Sequence, residues 1–107
     1  MPAVRHVFYV SFIFQNKKGA NLFIRKLSRR ADKLFLYELY APFGAVTSIR
    51  VEVNLRTGAP KGYGFVQFVR AADAQAAIAA THGLLVGEKR LDVSVYRPRA
   101  GREQSEQ

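Results

Sequence analysis

The octet Lys61-Gly62-Tyr63-Gly64-Phe65-Val66-Gln67-Phe68 decides how this chain folds. Read at a period of two, it puts Gly64, Val66 and Phe68 on one face and Lys61, Tyr63, Phe65 and Gln67 on the other. That alternation is the signature of a β-strand. If Val66 and Phe68 enter the core, Tyr63 and Phe65 cannot. Leaving a large apolar side chain outside a core forgoes about 1.5–3 kcal/mol. Paired rings left out in this way mark an interaction site.

Three other stretches alternate in the same way. Asn21–Leu27 places Leu22 and Ile24 inward, with Asn21, Phe23 and Arg25 on the side of the two rings. Val46–Asn54 turns Ile49, Val51 and Val53 inward and Ser48, Arg50 and Glu52 outward, and Arg90–Tyr96 turns Leu91, Val93 and Val95 inward. Between them lie two helical patterns. Asp32 is an N-cap, and Leu36, Leu39, Tyr40 and Phe43 follow as a stripe ended by Pro42 and Gly44. Ala71–Thr81 is rich in alanine, the best helix former, and Gly83 suits the left-handed position beyond its end. Leu55–Pro60 reads as a loop and Gly87-Glu88 as a turn. The order is strand, helix, strand, strand, helix, strand: an α+β fold with two helices on one sheet face and the other face open.

Length and composition narrow the function. A chain of 107 residues, 49% apolar and 23% charged, accommodates one small domain. Seventeen Lys and Arg against eight Asp and Glu give a net charge of +9, which calls for a polyanionic partner. The absence of cysteine excludes a disulfide scaffold, a cysteine-ligated zinc site and a cysteine nucleophile. No apolar run reaches the roughly 18 residues of a membrane span. The longest candidate, Val7–Phe14, is followed by Gln-Asn-Lys-Lys rather than a small-residue cleavage site, so the chain reads as intracellular, in nucleus or cytoplasm, with no membrane partner. Residues 1–19 read as an apolar stretch and polar linker, 20–97 as the domain, and 98–107 as a basic and polar flexible tail.

No catalytic constellation emerges. His6 and His82 are far apart, Asp32, Asp73 and Asp92 fall on separate elements, and Gly62-Tyr63-Gly64 lacks the Gly-Lys-Ser/Thr of a phosphate loop. The chain is expected to be no enzyme, with no metal and no cofactor. Flat rings flanked by Lys61, Arg25 and Arg50 instead suit single-stranded nucleic acid, whose bases stack on rings while phosphates meet cations.

The octet matches the RNP octamer of the RNA recognition motif at every defined position. Leu22-Phe23-Ile24-Arg25-Lys26-Leu27 looks like the partner hexamer, and the resemblance runs over about residues 20–97. Asn21-Leu-Phe-Ile, Pro42-Phe-Gly-Ala-Val46, Ala74-Gln-Ala-Ala-Ile78 and Val86-Gly-Glu-Lys-Arg-Leu91 look most like the third such motif of CUG-binding, ELAV/Bruno-like proteins. The resemblance implies a ferredoxin-like βαββαβ sandwich: a four-stranded antiparallel sheet backed by two helices, with octamer and hexamer on the central strands. It also implies that the chain binds single-stranded RNA and serves post-transcriptional mRNA regulation or processing. Phe23 and Phe65 would stack on bases, Tyr63 would stack or meet a sugar, and Lys61 would contact phosphate. Arg25 and Arg50 are expected to meet phosphates, Asn21 and Gln67 base edges, and Arg97 and Arg99 the RNA from the tail. Lys26 stands where the hexamer commonly has Asn, so altered loop packing is expected there.

Apolar surface remains unassigned. The first helix needs only its stripe for the sheet, which leaves Leu34, Phe35 and Tyr37 over. Residues 7–14 also need cover. The two are expected to meet, within one chain or between two; otherwise the helix binds a protein partner, or the apolar run lies across the RNA face. The alternative function is thus a protein-interaction module working through the first helix.

Overall fold

The computed structural model describes residues 19–97. The run 7–14, residues 98–107 and with them Arg99 lie outside the described residues. Within them, β1 (Asn21–Arg25) is followed by α1 (Lys33–Tyr40), which ends in a 3-10 turn over Ala41–Phe43. Then come β2 (Val46–Val53), β3 (Pro60–Phe68), α2 (Ala71–Thr81), β4 (Leu85–Val86), β5 (Lys89–Arg90) and β6 (Asp92–Val95). The main sheet has the order β2-β3-β1-β6, every pair antiparallel, so the octet and hexamer strands are central. This is the βαββαβ sandwich, with β4 and β5 added as a separate hairpin.

Alternation sorts the core as the sequence implies. Leu22 and Ile24 of β1, Val66 and Phe68 of β3, Val93 of β6, and Leu36 and Tyr40 of α1 are all buried. Asp32 caps α1 by accepting the Phe35 N–H at 2.9 Å. Ala74 and Ala77 of α2 are fully buried, and their small side chains bring that helix close to the sheet. The two helices are joined through one polar contact: the Tyr40 hydroxyl lies 3.0 Å from Thr81 Oγ1, which also hydrogen-bonds the Ala77 carbonyl at 2.7 Å. Burial pushes the Tyr40 phenol up to about 12, against a smaller lowering by the Thr81 hydrogen bond. Gly64 is fixed by crowding, since a Cβ there would lie 2.4 Å from the Arg50 carbonyl oxygen.

Three expectations are corrected. The last strand begins at Asp92, not Arg90. Leu91 donates its N–H to the Leu84 carbonyl and accepts from Gly83 N–H, and Arg90 pairs with Leu85, so both residues belong to the hairpin. Phe35 is not surplus, because it packs against the core beside Leu39 and Phe43. Val53 is partly exposed rather than inward, because the β2–β3 register shifts between Val51 and Val53. Beyond the helix end, His82 Nδ1 accepts the Val93 N–H at 3.1 Å and fastens α2 to β6.

Candidate nucleic-acid interface

The register turns the face opposite the helices into three rows. Asp92, Arg25 and Tyr63 align across β6, β1 and β3. Ser94, Phe23, Phe65 and Arg50 form the second row, across all four strands. Asn21, Gln67 and Ser48 form the third, and Tyr96 joins it by donating its N–H to the Asn21 carbonyl.

The middle row carries the platform. Phe23 and Phe65 are stacked, with centroids 5.2 Å apart and planes 16° from parallel. Tyr63 sets its ring edge-on to Phe23 at 5.6 Å. On the other side Tyr96 stands edge-on to Phe65 at 4.9 Å. All four rings are partly exposed. Edge-to-face and offset contacts are the favoured aromatic geometries, so the cluster holds itself in place while leaving π-surface open.

The expected cations occupy the margins, but two are already paired. The Arg25 guanidinium lies 5.9 Å from the Phe23 centroid and is ion-paired with Asp92, its Nε donating at 3.1 Å. That hydrogen bond holds the Asp92 carboxyl below its ordinary range, against a smaller desolvation effect. Arg50 lies 5.7 Å from the Phe65 centroid and meets Glu52 at 2.5 Å. Exposed ion pairs contribute only about 0–1 kcal/mol, so an incoming phosphate can compete for either arginine. Lys61 is exposed and makes no ion pair among the described residues. Gly62 lies within β3 between Lys61 and Tyr63 at φ +91°, in the stretch where the β2–β3 register shifts. Arg97 is exposed just beyond β6.

Asn21 and Gln67 are largely buried, and they line a shallow cleft with Ser48, Arg50, Phe65 and Tyr96. Gln67 is held from the side by Thr47, whose hydroxyl lies 3.0 Å from Gln67 Oε1. Any reading of a base by these amides happens at the cleft floor, not on an open surface.

Tyr96 is the site residue that sequence reasoning passed over. The same alternation that sends Val93 and Val95 inward sends Ser94 and Tyr96 outward, so the signal was present. Lys26 has φ +62°, the left-handed region that Asn tolerates and a long side chain does not favour. The odd residue in the hexamer therefore sits at a strained turn, and the effect is local to it. No group of His, Asp or Glu suited to a metal occurs among the described residues. No helix among them is long and apolar enough to cross a membrane.

Comparison with known proteins follows the geometry. The family model of the RNA recognition motif matches residues 22–92. Polyadenylate-binding protein 5 of Arabidopsis thaliana is 40% identical over 86 residues, which is 80% of this chain but only 12% of that protein. The Sxl-lethal protein/RNA complex structure is similar at 35% identity and a TM-score of 0.72, over 75% of this chain and 48% of that one. The second RRM domain of yeast poly(U)-binding protein is similar at 29% identity and a TM-score of 0.67, over 73% of this chain and 94% of that one.

Proposed function

This chain belongs to the RNA recognition motif family, and we propose that it binds single-stranded RNA across the uncovered face of its sheet. The observation that carries the proposal is the cluster of Phe23 and Phe65 with Tyr63 and Tyr96 each set against both, four rings on the face away from the helices. Bases stack on Phe23 and Phe65, while Tyr63 and Tyr96 wall the platform on either side. Each stacked base contributes about 1–3 kcal/mol. Lys61, Arg25, Arg50 and Arg97 neutralise phosphates, the two sheet arginines by exchanging carboxylate for phosphate. Asn21 and Gln67 read whichever base edge enters the cleft.

The role is in mRNA regulation or processing, in keeping with relatives named for binding polyadenylate and poly(U). The finer likeness to the third motif of Bruno-like proteins rests on the four stretches quoted above and carries a U- and G-rich preference into the proposal. The relatives named here are of other kinds.

The test is fluorescence anisotropy of labelled single-stranded RNA selected from a random pool. Tyr63→Ala with Phe65→Ala is expected to abolish binding and leave the circular dichroism unchanged. Binding equal to the parent's would overturn the stacking mechanism, and enrichment of adenine-rich rather than U- and G-rich sequences would remove the Bruno-like preference.

A second reading, a protein-interaction module, is favoured by Leu34, 61% exposed, and Tyr37, 52% exposed, on the outer side of α1. In that reading Leu34→Glu lowers partner binding and spares RNA.

A further inference from the structure

β6 closes one side of the sheet, and its Val93 N–H points outward, to His82 rather than to β1. His82 stands at the C-terminal end of α2. A neutral imidazole that accepts at Nδ1 carries its hydrogen on Nε2. The same Nδ1 lies 3.8 Å from Asp92 Oδ1, too far for a hydrogen bond. The other carboxylate oxygen of Asp92 is held by Arg25. Three side chains thus run from the end of α2, round the open edge of β6, to the margin of the ring face. The last of them, Arg25, lies beside Phe23.

On the reading that RNA crosses the ring face, we propose that His82 sets, through Asp92, how readily Arg25 turns to a phosphate, so that RNA affinity rises as pH falls. A protonated ring carries hydrogens on both nitrogens, and Nδ1 can no longer accept from Val93. Asp92 Oδ1 is the acceptor it faces. The carboxylate is then shared between two cations, and Arg25 is held less firmly. The charge on His82 already acts on Asp92 in the same direction as Arg25, whose hydrogen bond is the largest cause of the lowered Asp92 pKa. Linkage makes the effect reciprocal: RNA that draws Arg25 away leaves Asp92 to His82, so binding RNA favours the protonated ring.

The surroundings fix the sign. Arg90 of β5 donates to the Gly83 carbonyl at 3.0 Å, one residue from His82. Lys26, just past β1, pulls on Asp92 together with Arg25. From α1, Tyr40 reaches Thr81 with its hydroxyl. Asp73 lies at the other end of α2. Of these groups Asp92 is the anion beside the ring, so the proton's charge is answered there. The His82 and Arg25 side chains are 59% and 56% exposed, and water weakens the coupling. The worth of an exposed ion pair caps the rise in affinity at about fivefold.

The test follows the full-length protein between about pH 8 and about pH 5, the interval in which histidines titrate. Anisotropy of labelled oligo(UG) RNA gives the affinity, and NMR of the free protein follows the Arg25 Nε–H and the His82 ring. In the parent, affinity is expected to rise up to about fivefold, and the Arg25 signal to move with the His82 titration. His82→Asn keeps an acceptor where Nδ1 stands but takes up no proton, and is expected to flatten both profiles. Asp92→Asn is expected to be flat at a raised affinity, and Arg25→Gln flat at a lowered one. Four outcomes overturn the proposal. A flat parent shows no coupling. A rise that survives His82→Asn comes from another group, such as His6. A rise that survives Arg25→Gln means that the ring's charge acts on RNA directly. A parent that binds no RNA at any pH removes the ring-face reading and this proposal with it, and is told apart because the Arg25 signal still follows His82.

Discussion

Phe65 and Phe68 stand three residues apart on one strand and have opposite surroundings. Phe68 is 1% exposed and meets Tyr40 edge-on beneath the sheet. Phe65 stacks on Phe23 above it, in a cluster partly open to solvent. Residue type is the same, so parity along the strand alone separates a core ring from a ring on the open face. The inner face gains its energy when the chain folds. The outer face leaves part of its apolar surface open to solvent, which under the proposed stacking is covered when a base binds. Substitutions on the two faces should therefore separate stability from affinity.

The largest effect belongs to the inner ring. Phe68→Ala should cost about 3–5 kcal/mol in chemical denaturation, as a large core side chain is lost. The Tyr40 phenol gives a second inner-face signal. Its pKa is about 12 in the folded protein, above the ordinary tyrosine value. The unfolded chain therefore releases this proton first, and stability falls as pH rises from about 10 to about 12, by about 2–3 kcal/mol. Urea melts across that window should show the fall in the parent and lose this component in Tyr40→Phe.

Phe65→Ala alone should weaken RNA binding by about 1–3 kcal/mol, one to two powers of ten, with a far smaller effect on the denaturation midpoint. If Phe65→Ala destabilised as much as Phe68→Ala, the division of labour between the faces would be wrong. Lys26→Asn should stabilise by about 1 kcal/mol by relieving a left-handed residue at the end of β1, without touching affinity. The smallest change is at the sheet margin. Asp92→Asn frees Arg25, so affinity at low salt should rise and the log–log salt slope should steepen by about 0.7, while stability moves by less than about 1 kcal/mol.

These particulars show what the sequence makes legible. Both central strands, both helices and the three rings of the octet and hexamer follow from periodicity, because one buried face enforces it. Tyr96 obeys the same rule, two residues beyond Ser94 on the outward parity of the last strand. The hairpin escaped, because Leu91 bonds locally to Gly83 and Leu84 and nothing in its apolar character distinguishes that from pairing with β1. The pairs Arg25–Asp92 and Arg50–Glu52 divide in the same way. The second lies two residues apart on one strand, but the first joins positions 67 residues apart and exists only once the register is set. Phe35 looked surplus because α1 was counted against the sheet alone, whereas its side chain reaches the core from the helix flank.

Gly64 carries the last consequence. With Arg50's carbonyl 2.4 Å from where its methyl would be, the middle of the platform admits no variation in spacing between its strands. Any side chain there would push β2 away from β3, and would carry the Arg50 guanidinium away from the Phe65 ring it now lies beside.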